Sequence, residues 1–595
     1  MSQQPNSNLN KRRLVPKETE LLTLTKAPFG QKLQPSVDSM ERAEEVRNLL
    51  NPVQERILQY IEAADRGSRR PAQENGSRHT DDPCFADLVA PKKPHELQDI
   101  LQLDFPNGGQ GVDGLLQILD KIFKYSVNTW HQGFMDKLYS SPNAPGLAAE
   151  LIIASLNTNV HVYQVAPVLT IIEKNTAAQL ASLFGLTGPY AGGISVPGGS
   201  ASNTTAIVIA RNTLFPETKI DGTAGHHFVL FTSGHGHYSI EKAAQMIGLG
   251  SSSVWAVPVD EQGRMVPEAL DERITEAKSQ GKTPFFVNAT AGTTVYGAFD
   301  PLPEISEICR KHNLWFHVDA SWGGSFIFSS KQKGKLMGSH LADSIAYNPH
   351  KMLCVPITCS FLLASDLRKF HRANTLPAGY LFHNDEYTTS GNVWDLGDLT
   401  LQCGRRADAL KLYLSWKYFG SEGYERQIDG ACDLAAYLST AVSNSPSLML
   451  ITENPPPCLQ VCFYYAPLGQ MSYPPEREIN GKRLSDEERV TRNSKVTEDI
   501  VQGLVQQGFM VDYAPPCAGD KIVGEGQFLR CVVNVRTTKE TLDALVKTVV
   551  KLGSGILKQQ LGLVLNAPKS VEPSDVSPEI HSKNPAEMGH GPVVF

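Results

Sequence analysis

Leu314-Trp315-Phe316-His317-Val318-Asp319-Ala320-Ser321-Trp322-Gly323-Gly324 sets the architecture of this chain. Its first five residues are a short, almost continuously apolar run. That is the pattern of a strand covered on both faces, and it ends on a carboxylate followed by small residues. Phe285-Phe286-Val287 is a second such run. A helix is expected between them: Asp300 can cap it, Pro301 suits its first turn, and Ile305, Ile308, Cys309 and His312 share one face. Phe228-Val229-Leu230-Phe231 is a third strand. Another helix starts near Pro267, with Leu270, Ile274 and Ala277 inward. Strands alternating with amphipathic helices from about residue 98 to 430 predict an α/β fold with a mostly parallel sheet.

The chain has 595 residues, 41% hydrophobic and 20% charged, the composition of an ordinary globular protein. A formal net charge of −7 argues against a nucleic-acid or membrane-surface binder. No stretch approaches ~20 continuous apolar residues, so no membrane span is expected. No apolar run follows Lys11-Arg12-Arg13, so no secretory leader is expected either. The ten cysteines show no paired metal-ligand spacing and read as buried thiols of a reducing, cytoplasmic compartment.

Residues 1–95 are polar and broken by prolines, which reads as a flexible extension. Within them Val46, Leu49, Leu50, Val53, Ile57 and Ile61 keep helical spacing, and Pro52 should split or kink that helix. Residues 96–165 are expected to form a helical, dimer-forming segment, and 166–435 the large α/β domain. Residues 436–563 are expected to form a smaller α+β domain, with strands at Leu459–Tyr465 and Phe528–Val535, a helix at Leu542–Leu552, and a surface insertion at Tyr473–Arg492. Residues 564–595, with five spaced prolines, read as a disordered tail.

Asn348-Pro349-His350-Lys351 follows another short apolar run, Ile345-Ala346-Tyr347. A lysine between apolar segments carries a charge that is costly to bury without a partner. One solution is a Schiff base with an aldehyde cofactor, pyridoxal phosphate. Asp319 lies about one strand-helix-strand unit upstream, so the two can share one end of adjacent parallel strands, where open α/β sheets bind ligands. There Asp319 suits a pyridinium nitrogen, although alone it could equally be a cap or a salt-bridge partner. Pro197-Gly198-Gly199-Ser200-Ala201-Ser202-Asn203 precedes an expected helix, Thr204–Asn212, and offers a phosphate the free N–H groups and dipole of a helix start. Thr293-Thr294 follows another strand and could add a hydroxyl. In Gly234-His235-Gly236-His237-Tyr238-Ser239 one histidine could stack on a cofactor ring; a polar loop is the alternative. A metal site is not expected, because no third ligand is placed nearby.

Together these segments closely resemble the pyridoxal-phosphate-dependent group II amino-acid decarboxylases, with glutamate and cysteine sulfinate decarboxylases the most similar members. Asn288–Asp300, His317–Gly324, Asn348–Lys351, Ala378-Gly379-Tyr380-Leu381-Phe382 and Gln402-Cys403-Gly404-Arg405 carry the resemblance, which runs from about 120 to 555. It implies the aspartate-aminotransferase fold (fold type I) and a homodimer with the active site at its interface. It also implies roles. Lys351 would hold the cofactor, Asp319 would pair with the ring nitrogen and His237 would stack on the ring. Ser200, Ala201, Ser202, Asn348 and His350 would hold the phosphate, with Thr294 near the ring. Tyr380 would protonate Cα, and Arg530 would grip the substrate α-carboxylate. Members acting on glutamate carry a Phe-Asn-Gln-Leu run, whose Gln helps bind the distal carboxylate. The matching run here is Phe134-Met135-Asp136-Lys137-Leu138, and His161, Val162 and Gln164 replace the usual Phe, Thr and Glu. Lys137 could bind a distal carboxylate or sulfinate as a point charge. The expected reaction is therefore α-decarboxylation of an acidic L-amino acid: glutamate, aspartate or cysteine sulfinate. The alternatives are an aromatic or diamino-acid decarboxylase, or an aldehyde-forming enzyme.

Overall fold

The computed structural model describes residues 42–69, 88–377, 392–474, 478–479, 481–516 and 525–565. Its strands, in chain order, are β1 (Phe134–Met135), β2 (Gly192–Val196), β3 (Phe228–Ser233), β4 (Val254–Val257), β5 (Thr283–Thr290), β6 (Trp315–Asp319) and β7 (Ser344–Tyr347). They continue with β8 (Ser360–Ala364), β9 (Leu448–Leu450), β10 (Gln460–Tyr465), β11 (Glu478–Ile479), β12 (Lys482–Arg483), β13 (Met510–Ala514) and β14 (Phe528–Val532). Seven of them form one sheet in the order β2-β8-β7-β6-β5-β3-β4. β8 runs antiparallel to both neighbours and the other pairs are parallel, so β2, β3, β5, β6 and β7 all end at the same edge.

The apolar runs are continuous because both faces of this sheet are covered. Val229, Phe231, Phe316 and Val318 point into one core, and Phe228, Leu230 and Trp315 into the other. The smaller sheet has the order β1-β13-β14-β10-β9. Gln460 on β10 joins the two sheets. It accepts a hydrogen bond from Trp322 Nε1 and donates to the carbonyls of Thr293 and Thr294.

Several sequence expectations change. The helical spacing read within the N-terminal extension is one helix, Arg42–Arg69, with Pro52 inside it rather than a split into two. An interior proline costs about 3 kcal/mol. Tyr60 and Ala63 pack against Phe123 and Trp130, and Arg56 bonds Asp120 at 2.6 Å, which holds the helix beyond the proline. Asp300 is no helix cap: Pro301 takes that position, and the buried Asp300 accepts the N–H groups of Met265 and Thr290 at 2.7 Å. Burial raises its pKa to about 7. Tyr473–Arg492 is not simply a surface insertion. Tyr473 and Arg489 are buried, and the helix Asp486–Gln506 starts on a Ser485/Glu488 capping box. The last helix, Lys539–Leu565, outruns the expected Leu542–Leu552. The expected tail beyond it lies outside the described residues.

Candidate active site

The loops after β2, β3, β6 and β7 leave the shared edge of the seven-stranded sheet. β6 ends on Asp319, level with Thr290 of β5 and Ala346 of β7. β7 leads into Asn348–Lys351, where Lys351 N–H bonds the Asn348 carbonyl at 3.1 Å. β2 leads into Pro197–Ser200 and the helix Gly199–Leu214. β3 leads into Gly234–His237.

Asp319 is almost fully buried. Burial alone would raise its pKa. Lys351, hydrogen bonds from Ser321 N–H (3.1 Å) and Asn203 Nδ2 (2.9 Å), and His237 outweigh that, so the carboxyl stays below its ordinary value. Burial lowers the pKa of Lys351 against the pull of Asp319. Burial also lowers that of His237; Asp319 opposes this, and Lys351 and Lys242 add to it. These mutual effects place Lys351, Asp319 and His237 in one electrostatic site.

The helix start at Gly199 forms a tight cradle. A Cβ on Gly199 would come within 2.6 Å of Asn348 Nδ2 and 2.8 Å of Ser321 Oγ. Gly198 has φ +97°, a conformation natural to glycine. Ser321 Oγ and Asn348 Oδ1 are buried without a hydrogen-bond partner. Free helix N–H groups, an unengaged hydroxyl and a side-chain amide fit a phosphate. A lysine with a carboxylate nearby fits an aldehyde on a pyridine ring. The residues present therefore fit pyridoxal phosphate. Ser202 is buried at this cradle, Ser200 is exposed and Ala201 is half-buried. His350 Nδ1 lies 2.8 Å from the Cys359 carbonyl, clipping the lysine loop to the start of β8; burial lowers its pKa to about 4.

The fully buried Lys411 supports this loop from behind. It bonds Glu150 at 2.8 Å and Asp408 at 2.9 Å, and Asp408 accepts the Thr358 hydroxyl at 3.0 Å.

A second cluster comes from the smaller sheet. β1 pairs with β13, and Asp512 of β13 faces Arg530 of β14. Arg530, nearly buried, bonds Asp512 at 2.5 Å, the Thr294 carbonyl at 3.1 Å and the Asp136 carbonyl at 3.0 Å; its Nε has no partner. Lys137 lies 3.2 Å from Asp136 and 3.1 Å from Asp512. Burial alone would lower its pKa, but the two carboxylates raise it. Lys137 and Lys351 line one narrow cavity with Ser140, Trp322 and Asn534. Tyr380 lies outside the described residues.

Sequence reasoning left three supporting groups without a role. Asn203 and His317 sit behind Asp319. Glu173 forms an ion pair with Arg405, and the two bond the N–H and C=O of Ser195 on edge strand β2.

A lysine and a carboxylate beside a phosphate-type helix start, on the carboxyl edge of an open α/β sheet, define a pyridoxal-phosphate enzyme of fold type I. Residues 94–466 match the pyridoxal-dependent decarboxylase conserved domain, and the chain belongs to that family. It is 49% identical over 521 residues to an L-aspartate decarboxylase of Metarhizium robertsii, covering 87% of this chain and 99% of that protein. It is 40% identical to a glutamate decarboxylase-like protein of Gibberella zeae, over 81% of this chain and 94% of that one. Mouse CSAD is 35% identical, with a TM-score of 0.71 over 84% of this chain and 98% of that chain. The protein is a pyridoxal-phosphate-dependent decarboxylase.

Proposed function

We propose that this enzyme removes the α-carboxylate of an acidic L-amino acid, with aspartate the first candidate and glutamate and cysteine sulfinate next. The observation that carries this reading is the cluster of Lys137, Arg530, Asp136 and Asp512, whose Lys137 shares a cavity with Lys351. Its two cations are held by Asp136 and Asp512, and an acidic substrate would compete with those carboxylates for Lys137 and Arg530. The 49% identity to an L-aspartate decarboxylase puts aspartate first.

Lys351 is the attachment point. Ser200, Ala201, Ser202, Asn348 and His350 would hold the phosphate, with Thr294 and His237 the residues that would hold the ring. Asp319, kept ionised, would hold a proton at the ring nitrogen. When bound, pyridoxal phosphate supplies a conjugated ring that takes up the electron pair left by the departing carboxylate. Arg530 grips the substrate α-carboxylate and Lys137 the distal acid, which fixes the scissile bond relative to the ring. Tyr380 would be the proton donor to Cα, and Lys351 the residue that would hold the cofactor.

The test is carbon dioxide release from a panel of L-amino acids plus cysteine sulfinate, with product analysis. Faster turnover of an aromatic or diamino acid would overturn the acidic assignment. Aldehyde and ammonia in place of amine would overturn simple decarboxylation.

We also propose a cytoplasmic homodimer. Leu151, Ile152 and Leu156 with Val165, Val168 and Ile171 leave apolar side chains exposed on neighbouring helices, as a second copy would require. The eight described cysteines are free thiols, and among the described residues no helix is long and apolar enough to cross a membrane. Sedimentation equilibrium giving the mass of one chain at micromolar concentration would remove the dimer.

A further inference from the structure

Behind Asp319 lies a run of buried polar side chains that the reaction does not itself require. Trp315 Nε1 donates to Ser344 Oγ at 2.9 Å. Ser344 Oγ lies 2.8 Å from His317 Nδ1, and His317 Nε2 lies 3.1 Å from Asn203 Oδ1. Asn203 Nδ2 donates to Asp319 Oδ2 at 2.9 Å and to Ser239 Oγ at 2.9 Å. Trp315, Ser344, His317 and Asn203 are each 2% exposed or less, out of reach of bulk solvent.

The direction of every link follows from the two ends. An indole N–H only donates, and an ionised carboxylate only accepts. Trp315 therefore occupies an acceptor position on Ser344, and the Ser344 hydroxyl proton is free to point at His317 Nδ1. Asp319 requires the amide nitrogen of Asn203 to face it, which turns Oδ1 toward His317 Nε2. The Asn203 end selects the neutral tautomer of His317 with its proton on Nε2, and the Ser344 hydroxyl, free to donate to Nδ1, accommodates it. Burial, opposed by Asp319 and the Ser344 backbone, lowers the His317 pKa to about 4, so the ring is neutral at neutral pH. Phe286 stacks on that ring at 5.5 Å between centroids and holds its plane.

We propose that Trp315, Ser344, His317 and Asn203 form a one-directional hydrogen-bond chain that positions Asp319 for the cofactor's ring nitrogen. Asn203 and His317 are its positioning residues. The inference rests on the assignment of Asp319 to that nitrogen. Asn203 holds Oδ2 and the Ser321 N–H holds Oδ1, so the carboxylate is gripped on both oxygens from the protein side. Its remaining lone pairs are left for the ring. A fully satisfied buried network of this kind allows one arrangement, because each alternative leaves a buried donor or acceptor unpaired.

The test compares equilibrium binding of pyridoxal phosphate and its 1-deaza analogue, whose ring nitrogen is replaced by carbon, to the full-length apoenzyme. Both keep the phosphate and the aldehyde, so their affinity ratio isolates the ring nitrogen. Wild type is expected to prefer pyridoxal phosphate. Asn203→Leu and His317→Leu should each lower that preference on the order of tenfold, the scale of one hydrogen bond to a charged group. His317→Gln, which can still donate to Asn203, should stay within about threefold of wild type. Should the leucine variants fail to fold, Ser344→Ala, which removes one atom, decides the matter with a smaller loss in the same direction.

Equal weakening of both cofactors would show a packing role and overturn the proposal. An unchanged ratio in Ser344→Ala, or a glutamine variant as poor as leucine, would also overturn it. A wild-type enzyme that does not distinguish the two cofactors would overturn the Asp319 assignment itself, and the chain's role with it.

Discussion

Replacing Arg405 with methionine should destabilise the enzyme more than any change to an exposed charge. The Arg405 and Glu173 side chains are 4% and 1% exposed. The guanidinium donates to Glu173, to the Val160 carbonyl at 2.6 Å and to the Ser195 carbonyl at 3.1 Å, while Glu173 accepts the Ser195 N–H at 2.8 Å. β2 is an edge strand paired only with β8, so the outward N–H and C=O of Ser195 have no strand partner. The ion pair serves as that partner, two residues before the phosphate turn. Methionine removes the cation and leaves Glu173 buried and uncompensated, with an oxygen that already lacks a partner. Removing one member of a buried pair costs about 3–5 kcal/mol, a large part of a typical folding stability of about 5–15 kcal/mol.

Glu173→Leu strands the guanidinium instead and should cost a similar amount. The double replacement Glu173→Leu/Arg405→Met strands no charge. It leaves the Ser195 groups unpaired, at about 1–3 kcal/mol each. It should therefore cost clearly less than the sum of the singles, with a coupling of at least about 2 kcal/mol. Urea unfolding of all four proteins, with m values compared, gives the cycle. A cost below about 1 kcal/mol for Arg405→Met, or additive singles, would refute the reasoning.

Lys137→Ala should raise KM for the best acidic substrate about tenfold or more, the scale of one charge-assisted hydrogen bond; unchanged steady-state kinetics would remove Lys137 from the substrate site. Lys351→Ala should abolish the visible absorption of bound cofactor while leaving the far-ultraviolet circular dichroism intact, and a retained band would place the attachment elsewhere. His317 and His350 have folded pKa values of about 4, below the free value of 6.5, so the stability they contribute is present above pH 6.5 and lost as pH falls through 4. Asp300, at about 7 against 3.8, acts oppositely: its contribution is complete below 3.8 and lost as pH rises through 7. Between pH 4.5 and 6 the three together give a net uptake near one proton on unfolding, or roughly 1.4 kcal/mol per pH unit. Asp300→Asn should steepen the measured slope in urea titrations by roughly 1.4 kcal/mol per pH unit, and an unchanged slope would sink the account.

The reading of Asp319 and Lys351 as neighbours came from local patterns. Continuous apolar runs such as Phe285–Val287 and Leu314–Val318 mark strands covered on both faces, and parallel pairing brings their ends to one edge. Asp300 was misread because an aspartate before a proline looks like a cap, whereas its partners lie on two other segments, at Met265 and Thr290. Whether Pro52 splits the helix or only interrupts its bonding turned on the packing of Tyr60 and Ala63, which is not a local property. In Tyr473–Arg492 the Ser485/Glu488 capping box was legible, and the surrounding charge hid it.

By itself the sequence determined the α/β architecture and the chemistry-bearing loops, because hydrophobic period, turn residues and helix starts are properties of a few adjacent positions. The tertiary structure alone decided what those loops meet. β1, two residues long, joins β13 and sets Asp136 and Lys137 against Asp512 and Arg530, partners nearly four hundred positions away. The chain from Trp315 to Asp319 likewise needs β6, β7 and the helix Gly199–Leu214 in one register. Charge pairing and hydrogen-bond direction depend on distances of a few ångströms between remote segments, and only the packed sheet sets those distances.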